Sequence, residues 1–323
     1  MDAMNRRDVL KFAAALAATP ALGESVFAAD PPSPAGGQAV PDTLRFFPGF
    51  KASRVKTSGA EINVVSGGSG PPLLLMHGAP QTHISWRLTA PELAKSHTVI
   101  ATDLRGYGDS SKPPDGDGHA NYSKRAMALD QVEVMKSLGF DRFAVVGHDR
   151  GGRVGHRMAL DHAGTVTSLT VLDIVPTYYL YTHVTIEFVQ AYFHWFNYLR
   201  PAPAPENDLK AAYEAQRARA TTDVQIEYVR TNADPANIHA MCEDYRAGAS
   251  IDLKHDEADL DRKIACPLMV LWGEKGPMGR IYDVLKIWKD RGVNVTGKAL
   301  PTGHNMQEEG PEAVLAELKG FLK

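Results

Sequence analysis

The stretch FAVVGHDRGGR, residues 143–153, runs an apolar segment straight into a glycine-flanked turn and then into a run that can form a helix. Phe143 to Val146 is short and wholly apolar, as expected for a parallel strand buried on both faces. Gly147 and Gly151 bracket His148, Asp149 and Arg150 in a Gly-x-Asp-x-Gly spacing. A tight strand-to-helix turn needs glycine where segments pack close. The tip of such a turn, here Asp149, projects into the crevice at the C-terminal ends of the strands, where open α/β sheets bind ligands.

Working outward, 61–66 (EINVVS), 73–76 (LLLM), 98–102 (TVIAT), 168–172 (SLTVL), 268–272 (LMVLW) and, more weakly, 296–300 (TGKAL) read as further strands. Helical patterns such as 123–138 separate them. This alternation predicts an α/β fold, a mostly parallel, doubly wound sheet. It breaks after the fifth predicted strand. Residues 176–250 hold no good strand and are rich in aromatics from Tyr178 to Tyr198. They read as a helical cap over the crevice. The expected organisation is a core of 44–175 and 251–323 with the cap at 176–250.

A carboxylate at the turn tip is anionic at neutral pH and needs no base to attack a saturated carbon. The resulting ester must be hydrolysed, which requires a base to activate water. His304, in LPTGH after the last strand, stands where that base is expected. Its carboxylate partner is Asp173, at the end of the fifth strand, or Glu274, after the sixth, where Gly276 replaces an expected aspartate. The choice favours Asp173. Backbone amides of Arg150 and of Ala79, in HGAP, would form the oxyanion hole. Arg150 and Arg153 share a face at the start of the turn helix and suit bidentate binding of a substrate carboxylate. The alternative is that they pair with structural acids such as Asp161 or Asp173. Arg157 extends the stripe farther out.

Together GHDRGGRVGHRMAL, LDIVPT, YFHWF, CEDYRAG and PTGHNMQEE resemble the haloacetate (fluoroacetate) dehalogenase family of the α/β-hydrolase fold, over about residues 45–323. The resemblance implies Asp149 as nucleophile, His304 as base, Asp173 as its partner, and Arg150 and Arg153 on the substrate carboxylate. It also implies that His194, Trp195 and Tyr245 hold the departing halide, each with a hydrogen to donate. The reaction implied is 2-haloacid and water to 2-hydroxyacid and halide, with fluoroacetate or chloroacetate as substrate. One departure is Ala79, where the family usually carries an aromatic residue. That predicts a roomier pocket able to take a larger 2-haloacid. Two other readings compete: an epoxide hydrolase on the same Asp-His-Asp machinery, and a non-enzymatic carboxylate-binding protein.

Residues 1–28 combine Arg6-Arg7, an alanine-rich apolar stretch and small residues at Ala28-Ala29. They read as a twin-arginine-type signal, which predicts a periplasmic or secreted protein. Residues 29–43 form a Pro/Gly-rich leader. Elsewhere, 44% hydrophobic and 23% charged residues with a formal charge of -3 describe an ordinary globular chain, without the basic excess of a nucleic-acid binder. No apolar run is long enough for stable membrane insertion. Two cysteines, Cys242 and Cys266, are too few for a disulfide scaffold or multi-cysteine zinc site, and are expected as free thiols. No metal or other cofactor is expected. GYGDS at 106–110 reads as a turn, not a nucleotide loop. The expected partners are a small haloacid and water, with a homodimer left open.

Overall fold

The computed structural model describes residues 43–322; the signal and nearly all of the leader lie outside them. Eight strands form one sheet: β1 (Lys51–Lys56), β2 (Glu61–Gly67), β3 (Pro72–Met76), β4 (Thr98–Thr102), β5 (Phe143–His148), β6 (Val166–Leu172), β7 (Leu268–Gly273) and β8 (Val295–Leu300). Their order is β1-β2-β4-β3-β5-β6-β7-β8. β1 and β2 join antiparallel, and the rest, from β4 to β8, run parallel.

The apolar runs divide by alternation, as a strand's period of two demands. Leu74, Met76, Val145, Val171 and Val270 enter the core on one face of the sheet. Leu73, Leu75, Val146, Leu172 and Leu271 enter the core on the other. Each central strand is therefore buried on both sides, which places the sheet between two helical layers. The helices include α1 (Lys124–Ser137) and α2 (Arg150–Asp161). Ser123 caps α1 by accepting from the Ala126 amide.

Every strand read from the sequence forms. β1 does not announce itself, because KASRVK is polar and five of its six residues are exposed. It is an antiparallel edge strand, where alternation need not be apolar.

Between β6 and β7 the chain is helical: α3 (Thr177–Thr182), α4 (Ile186–Ala191), α5 (His194–Asn197), α6 (Ala204–Arg217), α7 (Asp223–Asn232), α8 (Pro235–Gly248) and α9 (Ile251–Ala258). The aromatics of this cap are mostly core. Phe188, Tyr192, Trp195, Tyr213 and Tyr245 pack in the same cluster as Val171 and Ile174 of the sheet side. The cap is thus fastened to the sheet's C-terminal edge by continuous apolar burial.

Candidate active site

Asp149 stands between β5 and α2 with φ 43° and ψ −111°, a left-handed conformation rare outside glycine. The turn tolerates it because its glycines let backbones touch. A Cβ on Gly151 would lie 2.4 Å from the Met76 carbonyl oxygen, and one on Gly147 would lie 2.4 Å from the Gly151 carbonyl oxygen. The strain turns the Asp149 carboxylate out of the sheet and into a cavity of about 850 Å3 between cap and core.

Four further sequence expectations meet there. His304 lines the cavity. Its Nδ1 lies 2.6 Å from Asp173 Oδ2, and the other Asp173 oxygen accepts from the Gly273 amide at 3.0 Å. Asp173 is fully buried, and its own φ of 54° aims it across the strand ends. Glu274 is exposed, and of the two acids it is Asp173 that bonds His304. The Ala79 amide donates to Asp149 Oδ2 at 3.2 Å. Arg150 opens α2, so its amide has no acceptor within the helix.

The charges are arranged for two protonation states. Burial alone would raise Asp149, but His304, Arg150 and Arg153 outweigh it and hold the carboxyl well below the usual range. Burial alone would lower His304, but the Asp173 hydrogen bond and charge, with the charge of Asp149, raise it to about 8. Asp149 is therefore an anion wherever the protein is folded near neutrality, and His304 changes state close to neutrality.

Arg150 is completely buried. Its guanidinium carbon lies 3.5 Å from the Tyr245 ring centroid and 4.5 Å from that of Trp195. None of its three guanidinium nitrogens has a hydrogen-bond partner, and Asp244 comes no nearer to Nε than 3.7 Å. Arg153 also faces Trp195, at 4.7 Å. One of its nitrogens donates to the Val175 carbonyl and Thr177 Oγ1, while Nε is unsatisfied. Neither arginine is taken by Asp161 or Asp173. Asp161 binds Arg125 and Arg157, and Arg157 also binds Asp259, which makes Arg157 structural. Unsatisfied buried guanidinium nitrogens cost stability unless an anion occupies the site.

His194, Trp195 and Tyr245 come together on the cap side. Tyr245 lies with its ring centroid 5.8 Å from His194 and 5.4 Å from Trp195. Burial pushes His194 down to about 4, so it is neutral and carries one N–H.

A supporting network not evident from the sequence backs His304. The His148 ring lies 4.8 Å from that of His304, tilted by 53°, and donates from Nε2 to the His304 carbonyl at 2.8 Å. Burial and His304 lower it to about 3, so it stays neutral. Its other nitrogen meets Gln81, which bonds Glu308. Glu308 is fixed in turn by Arg87 and Tyr228. The motifs HGAPQ, GHD and NMQEE contain these residues, but nothing in their spacing says that they touch.

Folding also gathers Asp115, His239 and Glu243, whose ligand atoms lie within 4.8 Å of one another. These groups are committed to ion pairs. His239 bonds Asp115 and Glu206, and Glu243 bonds Arg246. Cys242 and Cys266 are free thiols, as expected.

A family model of the alpha/beta hydrolase fold matches residues 71–311, and one of the twin-arginine translocation pathway signal sequence matches residues 3–23. A fluoroacetate dehalogenase from Burkholderia sp is 46% identical over 85% of this chain and 95% of its own length. A soluble epoxide hydrolase from Corynebacterium sp. (strain C12) is 33% identical over 80% and 92% respectively. The crystal structure of an alpha/beta hydrolase from Nostoc sp PCC 7120 superposes with a TM-score of 0.83 at 50% identity, covering 86% of this chain and 99% of that one.

Proposed function

We propose that this chain, a hydrolase that belongs to the alpha/beta hydrolase fold family, hydrolyses the carbon–halogen bond of a 2-haloacid. The observation that carries this reading is the unsatisfied Arg150 guanidinium, buried between Trp195 and Tyr245 beside the Asp149 carboxylate. A substrate carboxylate would satisfy its nitrogens, with Arg153 as second donor, and so place the α-carbon before Asp149.

Asp149 attacks that carbon from the side opposite the halogen. The carbon–halogen bond breaks and halide leaves with the electron pair. His194, Trp195 and Tyr245 donate to it where charge develops. Water then attacks the Asp149 ester carbonyl while His304 takes its proton, and the Ala79 and Arg150 amides hold the oxyanion. Collapse releases the 2-hydroxyacid and restores Asp149. The balance is haloacid plus water to hydroxyacid, halide and one proton.

Halide release from chloroacetate and fluoroacetate tests the reading. Asp149→Asn should abolish it. His304→Asn should let the ester accumulate, seen as added mass on Asp149; absence of that adduct with a good substrate overturns the two-step scheme. If the protein only bound carboxylates, Asp149→Asn would leave its function intact.

One observation favours the epoxide reading: Tyr192, whose hydroxyl is buried without a partner, lines the cavity that holds Asp149 and could donate to an epoxide oxygen. Diol from a simple epoxide without halide from any haloacid would select it. The twin-arginine signal match supports action in the periplasm or outside the cell, checked by fractionation.

A further inference from the structure

The cavity over Asp149 is much larger than a haloacetate. Its volume of about 850 Å3 falls among pockets that bury drug-sized ligands, roughly 300–1,000 Å3. A haloacetate has about five heavy atoms, and a water fills roughly 30 Å3. Substrate and hydrolytic water leave most of the space empty.

The lining is mixed. Beside the charges of Asp149 and Arg153, the lining includes the buried apolar side chains of Leu180, Phe188, Met241 and Met278. It also includes two exposed cations, Arg219, just beyond α6 in the cap, and Lys275, just beyond β7 in the core. Neither side chain has an ion pair or hydrogen bond among the described residues. Three cap arginines are engaged elsewhere: Arg200 with Asp208, Arg230 with Glu227, and Arg246 with Glu206 and Glu243. The acid on this wall, Glu309, already accepts from the Gly303 and Asn305 amides. Two uncommitted cations, one from the cap and one from the core, therefore line the same cavity as Asp149 and Arg153.

We infer, on the dehalogenase reading above, that the substrate is a 2-halo-dicarboxylate. The carboxylate next to the halogen goes to Arg150 and Arg153. The alkyl chain lies against the apolar side chains of the lining. The distal carboxylate meets Arg219 and Lys275. The chemistry is unchanged: the carbon–halogen bond breaks, one water is consumed, and a 2-hydroxy-dicarboxylate, halide and a proton leave.

The test is chloride release by the mature enzyme from chloroacetate, from 2-chlorosuccinate, 2-chloroadipate and 2-chlorosebacate, and from 2-chloro monoacids of equal chain length. The expected result is a kcat/KM advantage of about tenfold for a longer diacid over its monoacid, the size of two partly exposed ion pairs. Replacing both cations (Arg219→Gln with Lys275→Gln) should erase it through KM and leave chloroacetate turnover unchanged. Equal losses for diacid and monoacid would reduce the cations to general steering and overturn the subsite. So would chloride from chloroacetate with no diacid preference, which leaves the reaction class standing. No chloride from any haloacid would remove the dehalogenase reading itself.

Discussion

His304 and Asp149 are coupled, and the coupling changes during turnover. In the free protein the Asp149 charge helps hold His304 at about 8. Once Asp149 is an ester that charge is gone, so the histidine loses protons more readily when a base is needed. In the proposed mechanism, formation of the ester uses only the Asp149 anion, which is held below the usual range. Its single-turnover rate should therefore be flat from about pH 6 to about pH 9. Ester decay needs neutral His304, so it should rise with pH, with a midpoint below the free protein's value of about 8. Rapid-quench mass analysis of Asp149 separates the two steps, and a rate of ester formation that tracked pH would contradict the assignment. Asp173→Asn removes the main raising influence on His304. The decay midpoint should move lower still, while the rate falls by about a hundredfold or more as the imidazolium loses its partner. That Asp149, His304 and Asp173 would meet was legible in the sequence, because each follows a strand end in a fixed order. The Gln81–Glu308 and His148–His304 contacts were not, since only the folded chain joins residues so far apart.

The β5–α2 turn depends on backbone contact rather than on side chains. Gly151→Ala would put a methyl 2.4 Å from the Met76 carbonyl oxygen, at the end of β3 and beside the Ala79 loop. Backbone in a central strand cannot swing aside as a flexible side chain can. The variant should lose roughly 1–3 kcal/mol of stability, read as a lower Tm, and lose turnover even where it folds, because Asp149 moves against the Ala79 amide. Gly164→Ala, with nothing within 4 Å of the added methyl, is the control and should change neither. A Gly151→Ala protein with normal Tm and halide release would mean that the elbow is looser than its contacts suggest. Elements were legible where hydrophobicity matched burial. LLLM and FAVVG are apolar because both faces of their strands are covered. β1 has no such constraint. In the cap, a general helical character was readable, but not its division into α3 to α9 or which aromatic rings would clamp Arg150. Those depend on how the helices cross.

At the scale of the whole molecule, the signal and the fold make a joint demand. A chain carrying a twin-arginine signal match is directed toward compartments where thiols oxidise. Its two cysteines are placed to resist. Cys242 sits in α8, fully buried, and burial pushes its thiol up to about 12; Cys266, half-buried just before β7, is also raised by burial. Thiolate is the species that attacks a disulfide or an oxidant, so raised values slow both. Neither thiol lines the cavity over Asp149, so catalysis does not require them reduced. The mature protein recovered from its exported location should titrate as two free thiols after unfolding. In the native state Cys242 should react far more slowly than Cys266. Reductant should leave Tm unchanged, since there is no cross-link whose removal could enlarge the unfolded ensemble. Loss of both thiols in exported protein, with a Tm that falls on reduction, would show that the chain forms a bond the structure does not contain. It would also mean that α8, which carries Tyr245, is held differently in the working enzyme.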